Sequence, residues 1–541
     1  MPPTPQPTPD TPKAQGGPRK QAQAMGKRVG GGLSWLMIAT AVVKVASMVN
    51  IAVLGILLGE EDFGIFGTAI GVAALVNVLR DGGVRRILIQ KGMHRYPGLV
   101  GPVYAWTLML NVAAAIILCA LGPVLAGYHG NPQYVMVMVT LGLAALIYGP
   151  SMIYRSRLSM EYRYKAVATM NASSAIVRYI AMIGLALAGA GPLTFTWSLV
   201  ITAAYEWLFG LIATKDPLVR FQPKTRLWPA IWARSKWLLL SAVALALLRQ
   251  GDYLALGFLL EPKIMGIYVF AYMIGDQVMA LLASNLQQVL MPTMASFQHE
   301  RERHVKAILR VAGSLTLVAA GFAGAIAVTF EPLQEIVWNG KWAGSTPAVQ
   351  ALALCFALRL LVTVQESALS STGRFRTQFQ SLLVQGLGMA SVAFMGGLLF
   401  PTQPGMIAVG VGLWFVIGVT GVAAWSLRQA GVPTINFLMT VIRPWGLLTV
   451  LALAVILVDL WISNNAMRSA MAHGLPADRT LTDDIRRMVL SGLMYGLAAA
   501  VMVRFALPGV LRDMLSVAPT RVSRIAEPLL RIRPAQRRDV G

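Results

Sequence analysis

The sequence predicts an all-α polytopic membrane protein: about 14 transmembrane helices in two pseudo-symmetric six-helix lobes, with two C-terminal helices added. Three observations predict it. Apolar runs of roughly 20 residues, the length that crosses a bilayer, recur along almost the whole chain. Of 541 residues, 56% are hydrophobic and 13% charged, where a soluble domain carries about 25% charged residues. A stretch near the middle of the chain also repeats one near its start.

Composition excludes several classes. A formal charge of +23 would suit nucleic acid, but the basic residues fall in short loops between apolar runs, so no nucleic-acid partner is expected. Cys119 and Cys355 both lie inside apolar runs, which disfavours a disulfide framework or a metal site. All five histidines lie outside the predicted spans, against an intramembrane histidine proton relay. No GxxxxGK stretch occurs, so the chain carries no Walker-type ATPase, and no cofactor is expected.

Residues 1–28, rich in Pro, Gln and Lys/Arg, read as a disordered cytoplasmic tail. They are not a signal peptide, because the apolar run that follows is too long and lacks a small-residue cleavage site. The N-terminal lobe, 29–213, holds spans at Leu33–Leu58, Phe63–Leu79, Leu99–Leu121, Tyr134–Tyr154, Ala166–Ala190 and Leu193–Ala213. A basic cytoplasmic linker, 214–236, leads to the second lobe, 237–428. Its spans are Trp237–Leu260, Ile264–Met291, Ala307–Phe330, Pro347–Leu369, Phe379–Phe400 and Met406–Leu427. Two additional helices occupy 429–507, at Val441–Trp461 and Ile485–Ala506, and a basic cytoplasmic tail fills 508–541. Leu511, Met514, Leu515, Leu529 and Leu530 allow that tail to lie on the membrane surface.

Charge orients the bundle. With the N-terminus inside, 36 of the 46 Lys and Arg residues fall in or beside cytoplasmic segments and six in or beside periplasmic ones. The other four lie deep in spans. This is a positive-inside bias, and it places both termini in the cytoplasm.

The repeat aligns Asn50–Ala69 with Asp252–Ala271 at an offset of 202 residues without a gap. Leu54/Leu256, Gly55/Gly257, Leu57/Leu259, Leu58/Leu260, Gly64/Gly266, Ile65/Ile267 and Ala69/Ala271 coincide. Each copy covers the end of one span, the outer turn and the start of the next. An offset of six spans preserves topology, so the lobes are parallel repeats about an axis along the membrane normal, with any substrate site between them near the midplane. Gly55, Gly64, Gly257 and Gly266 are expected to be packing and turn positions.

LLGEEDFGIFGTAIGVAALVNVLRDGGVRRILIQKG (57–92) and GDYLALGFLLEPKIMGIYVFAYMIGDQVMALLASNLQQVLMPTMASFQ (251–298) resemble the polysaccharide-transport, Wzx-like flippases. These share a superfamily, MOP, with the MATE exporters and the lipid II flippases. The helix layout fits over about 30–430; the last two spans and both tails match no motif. The resemblance implies a V-shaped transporter of the bacterial inner membrane. Its cargo would be a lipid-linked oligosaccharide, typically an undecaprenyl-diphosphate-linked repeat unit, moved by alternating access. It also implies inner-membrane lipids as surroundings and a polysaccharide polymerase or export complex as a partner.

Of the ionisable residues within the spans, eight are singled out: Lys44, Arg178, Arg249 and Arg359 against Glu206, Asp252, Asp276 and Glu366. A charge at the bilayer centre costs about 2.5–3.5 kcal/mol on insertion scales, so such residues face a cavity or pair. The four cations cluster at midplane depth and are the candidate substrate-binding residues, since a diphosphate leaving water needs cations and Arg matches its oxygens. Asn50, Asn171, Tyr179, Tyr272, Asn285 and Gln365 are candidate sugar contacts. Structural readings stand beside these. Arg249 and Asp252 sit at i and i+3 and could neutralise each other. Arg178 could pair with Glu206, and Arg359 with Glu366. Asp276 is either a protonatable coupling residue, a solvated wall, or the partner of a cation.

Three function classes compete. A flippase for an anionic lipid-linked glycan fits the cations. A MATE-like exporter of cationic compounds calls for a carboxylate-dominated cavity. A glycan polymerase or ligase usually needs a sizeable outer loop, and the largest here, about Ile462–Asp484, carries no catalytic constellation. The repeat isolates an asymmetry between the lobes: Asp252 aligns with Asn50, Arg249 with Ser47, and Lys44 with Ala246.

Overall fold

The computed structural model describes residues 40, 42–81, 84–161, 163–215, 226, 228–277, 294, 300–472 and 480–511. Both predicted tails almost entirely, about half of the linker, the second half of the span predicted at Ile264–Met291, and Asn285 lie outside the described residues. Every regular element among the described residues is helical.

In chain order the helices are α1 (Val42–Leu57), α2 (Glu60–Asp81), α3 (Val84–His129), α4 (Gln133–Met160), α5 (Tyr164–Leu187), α6 (Leu193–Thr214) and α7 (Trp228–Gly257). They continue with α8 (262–277), α9 (Arg301–Trp338), α10 (Ala343–Ser371), α11 (Phe375–Leu399), α12 (Pro404–Gln429), α13 (Thr434–Ala472) and α14 (Leu481–Ala506). Among the described residues, eleven helices are long and apolar enough to cross a membrane; α1, α7 and α8 are not in that set.

Several helices outrun their predicted spans. The span expected at Leu99–Leu121 is the middle of the 46-residue α3, which contains Pro97, Pro102 and Pro123. The one expected at Ala307–Phe330 belongs to the 38-residue α9. Hydropathy marks the part of a helix that meets lipid, and says nothing of turns continuing into polar surroundings. α14 begins ahead of its predicted start because Thr480 caps it, its side chain accepting from the Asp483 N–H while the Asp483 carboxylate accepts from the Thr480 N–H.

Packing forms two groups. α2 to α6 pack on one another, chiefly α3 on α4, α4 on α6 and α5 on α6. α7 packs on α11, α10 on α12, and α9 on α10, α13 and α14. α2 and α7 join the groups. The outward faces stay apolar: Val450, Leu457 and Trp461 on α13, and Leu497 and Phe505 on α14, are all exposed. In water such faces would aggregate; in a bilayer, lipid covers them.

At the end of the bundle where α1 turns into α2, the repeat becomes a physical contact. A Cβ on Gly64 would lie 2.6 Å from the Pro262 carbonyl carbon, and one on Gly266 would lie 2.6 Å from that of Glu60. Gly64 and Gly266 are repeat-related, and so are Glu60 and Pro262, so each glycine admits the partner copy's backbone. The contact is a local two-fold between α2 and α8. Only glycine permits this approach.

Candidate functional site

The bundle encloses a cavity of about 770 Å³ lined by residues of α1, α2, α5, α6, α7, α8 and α10. Lys44, Arg178, Arg249 and Arg359 all line it. Helices from both packing groups therefore bring the four predicted cations around one space. Asp276 and Glu366 line it too, giving four cations and two carboxylates among the described residues.

Arg359 owes its position to two departures from α geometry. α10 tightens into a 3₁₀ turn at Ala357–Leu360, and α12 widens into a π turn at Trp414–Val419. Such turns inside helices often mark functional positions. Here the Arg359 guanidinium carbon lies 5.3 Å from the centre of the Phe356 ring, 5.4 Å from Tyr272 and 5.9 Å from Phe415. Three rings around a largely desolvated guanidinium each attract it through their negative faces. The Tyr272 hydroxyl donates to the Arg249 carbonyl at 3.1 Å, tying this cage to α7.

The ion pairs differ from those the sequence suggested. Arg359 Nη1 donates to Asp276 Oδ1 at 2.7 Å; it does not pair with Glu366. Of the readings left open for Asp276, the geometry is that of a cation's partner on the cavity wall. Glu206 lies away from the cavity and pairs with Arg155 at 2.9 Å, not with Arg178. The reason is that α4 packs along α6, and so presents Arg155 to Glu206. Asp252 is fully buried behind the wall and accepts from the Tyr268 hydroxyl at 2.8 Å; it forms no ion pair with Arg249. Asp252 and Tyr268 thus serve the interior of the second group rather than the cavity. Arg178 stacks near the Tyr179 ring at 5.4 Å, and its buried Nε has no hydrogen-bond partner among the described residues.

Of the candidate sugar contacts, Asn50, Tyr179 and Tyr272 line the cavity. Asn171 is exposed elsewhere. Gln365 is buried in a network with Ser381 and Gln385 and does not reach the cavity. The sequence reading missed Ser47, Gln250, Gln277 and Thr363 in the lining. Ser47 donates to Gln277 Oε1 at 3.0 Å, joining α1 to α8. The repeat held the signal for Ser47, which aligns with Arg249.

The α1–α2 end of the cavity is shut. Phe63 meets Phe195, Phe270 and Trp342 edge-on at 5.1, 5.6 and 5.2 Å, all four rings being buried. α9 stops in a left-handed turn at Asn339 and Gly340, a conformation these residues tolerate, and the chain folds back over the end of α1. There Trp338 Nε1 donates to the Ala52 carbonyl and Trp342 Nε1 to that of Gly55, each at 2.9 Å. Lys341 Nζ reaches the carbonyls of Ile56 at 3.1 Å and Leu58 at 2.6 Å. Burial lowers the pKa of this ammonium from its ordinary value, opposed by Asp62 and Glu60. The Gly55 and Ile56 carbonyls lie in the last turn of α1, where they have no partner within their own helix, and Trp342 and Lys341 satisfy them. The repeat-related carbonyl of Phe258 is capped in turn by Tyr128 at 2.7 Å.

A multi-helical fold around a charged cavity defines the structural class of this chain, and solved structures share that fold. The chain superposes on "Lipid II flippase MurJ, inward closed conformation" with a TM-score of 0.65 at 11% identity, covering 87% of this chain and 98% of that one. A structure titled as an inward-facing multidrug resistance MATE family transporter of the MOP superfamily follows at 0.51, with 12% identity, 73% of this chain and 98% of that one. Within this class, a family profile described as "Polysaccharide biosynthesis protein" matches residues 53–347, and the chain belongs to that family. It is 23% identical over 403 residues to the lipopolysaccharide biosynthesis protein WzxC of Escherichia coli (strain K12), covering 71% of this chain and 77% of the relative. It is 21% identical over 378 residues to the teichuronic acid biosynthesis protein TuaB of Bacillus subtilis (strain 168), covering 69% and 78%. It is 24% identical over 340 residues to the succinoglycan biosynthesis transport protein ExoT of Rhizobium meliloti (strain 1021), covering 62% and 67%.

Proposed function

We propose that this protein is a flippase. It moves an undecaprenyl-diphosphate-linked oligosaccharide across the bacterial inner membrane, supplying exopolysaccharide, capsule or O-antigen synthesis. The observation that carries the reading is the cavity's charge: among the described residues that line it, four cations stand against two carboxylates, drawn from both helix groups. A diphosphate joining a lipid to a sugar is a diester with two negative charges, which the excess of two cations balances. Arg and Lys replace the water such a headgroup loses. The family and the polysaccharide roles in its relatives' names support the same reading. A MATE-like exporter of cationic compounds fits less well, because a cationic cargo would meet a net positive wall.

In this reading the protein transports and catalyses no bond change. The headgroup enters between the lobes 29–213 and 237–428, meets Lys44, Arg178, Arg249 and Arg359, and leaves when the lobes rock. The polyprenyl tail stays in lipid. Both termini are cytoplasmic by the distribution of Lys and Arg. The shut α1–α2 end is then the periplasmic end, and the cavity belongs to the inward-facing half of the cycle. A polysaccharide polymerase or export complex receives the released cargo.

The test is charge removal in cells. Lys44→Ala, Arg249→Ala and Arg359→Ala should each abolish surface polysaccharide at unchanged membrane abundance. Normal polysaccharide from all three variants would sink the reading. Loss of the protein itself would assign these cations to stability instead.

A further inference from the structure

We propose that Asp276 is an internal counter-ion. It holds the charge of Arg359 in the empty cavity, is displaced by the anionic headgroup, and returns to eject it. The inference rests on the reading of the cavity as a diphosphate site.

The asymmetry of the pair motivates it. The Arg359 side chain is 16% exposed and the Asp276 side chain 38%, so the guanidinium is the seated member and the carboxylate the accessible one. Arg359 does not depend on Asp276 for its place, since Tyr272, Phe356 and Phe415 surround it. Tyr272 is held in turn by the Arg249 carbonyl and by edge contacts with Tyr253 at 5.1 Å and Phe356 at 4.9 Å. A group needed to position Arg359 would be redundant here; a group that neutralises it would not. The pair is also joined through one guanidinium nitrogen, Nη1. A phosphate can take two donors of the same fork, which is the stronger arrangement.

The exchange conserves charge at Arg359. With the cavity empty, Asp276 spares a desolvated guanidinium from standing unpaired. With the headgroup bound, phosphate takes that place, and Asp276 becomes a like charge beside it. That repulsion weakens retention, so Asp276 favours release at the expense of affinity. A transporter gains from this, because a site that only binds tightly does not turn over.

Binding of geranyl-diphosphoryl-glucose, a short-tailed diphosphate diester, to the purified full-length protein tests the idea. Asp276→Asn should bind it about tenfold more tightly, through slower dissociation, a change equal to about 1.4 kcal/mol. Polysaccharide export in cells should fall although binding improves. In an Arg359→Ala background the same substitution should slow dissociation less, because the competition for the guanidinium is gone and only the like-charge repulsion remains. Asp276→Ala serves as a second variant should the amide disturb folding. Unchanged or weaker binding by both Asp276 variants, with binding still lost in Lys44→Ala and Arg178→Ala, overturns the role of Asp276 alone. Wild-type binding that is absent, or indifferent to Lys44→Ala and Arg178→Ala, overturns it together with the diphosphate reading of the cavity.

Discussion

Gly266→Ala addresses how the α1–α2 end opens. The added Cβ would lie 2.6 Å from the Glu60 carbonyl carbon, whereas non-bonded carbons settle at about 3.5–4.0 Å. The Glu60 carbonyl oxygen lies closer still, so α2 and α8 must part by more than about 1 Å at a point where backbone meets backbone and no side chain can swing aside. Overpacking of this kind costs about 1–3 kcal/mol. The contact exists where the end is shut, so the cost falls on the shut state. It should move the balance toward the open state by about 5–150-fold. Ser47 lines the cavity beyond the seal, so the labelling rate of Ser47→Cys by a membrane-impermeant maleimide reports opening when the reagent is added on the side of the α1–α2 end, the periplasmic side in the proposed orientation. A background lacking Cys119 and Cys355 removes other thiols. Labelling should quicken at least about fivefold in Gly266→Ala. Because the contact is reciprocal, Gly64→Ala should give a similar rise. An unchanged rate in both variants would refute the argument that this crossing holds the end closed.

Two further expectations concern stability. Arg155→Ala leaves the Glu206 carboxylate buried without its partner; removing one member of such a pair costs about 3–5 kcal/mol. Melting of the detergent-purified protein should fall, and Arg155→Ala combined with Glu206→Ala should recover part of the loss. At the α9–α13–α14 junction, Arg487 lies 2.6 Å from Asp459, 3.5 Å from Glu331 and 3.9 Å from Asp484. Arg487→Ala leaves three carboxylates facing one another, so protease cleavage in the α13–α14 connection should accelerate; an unaltered digestion pattern would remove the cluster as the clamp on α14.

Depth along the chain was the legible part of the site. Lys44, Arg178, Arg249 and Arg359 were identified because a charge deep in an apolar run must face something other than lipid, and all four face one cavity. Partner choice was not legible, because it depends on helix rotation and on neighbours distant in sequence. Glu206 illustrates this: α5 precedes α6 in the chain, but α4 supplies the arginine. Asp252 and Arg249 are one turn apart on α7, yet one faces Tyr268 and the other the cavity. The shut end was half legible. The repeat marked Gly64 and Gly266, while the caps from Trp338, Lys341 and Trp342 come from nearly 300 residues away in sequence and leave no local pattern. The 3₁₀ and π turns that form the Arg359 cage were equally invisible, since apolar helical sequence reads the same through them.

The most direct test of the central claim is transbilayer movement in reconstituted vesicles. Purified protein would be placed in liposomes carrying a fluorescent polyprenyl-diphosphate-linked sugar, and the sugar reaching the outer leaflet scored with a membrane-impermeant lectin. Wild-type protein should expose the inner-leaflet pool rapidly, and the triple variant Lys44→Ala, Arg178→Ala, Arg249→Ala should match protein-free vesicles. Equal exposure by wild type and the triple variant, or wild-type vesicles that move a cationic dye and leave the lipid-linked sugar in place, would contradict the account.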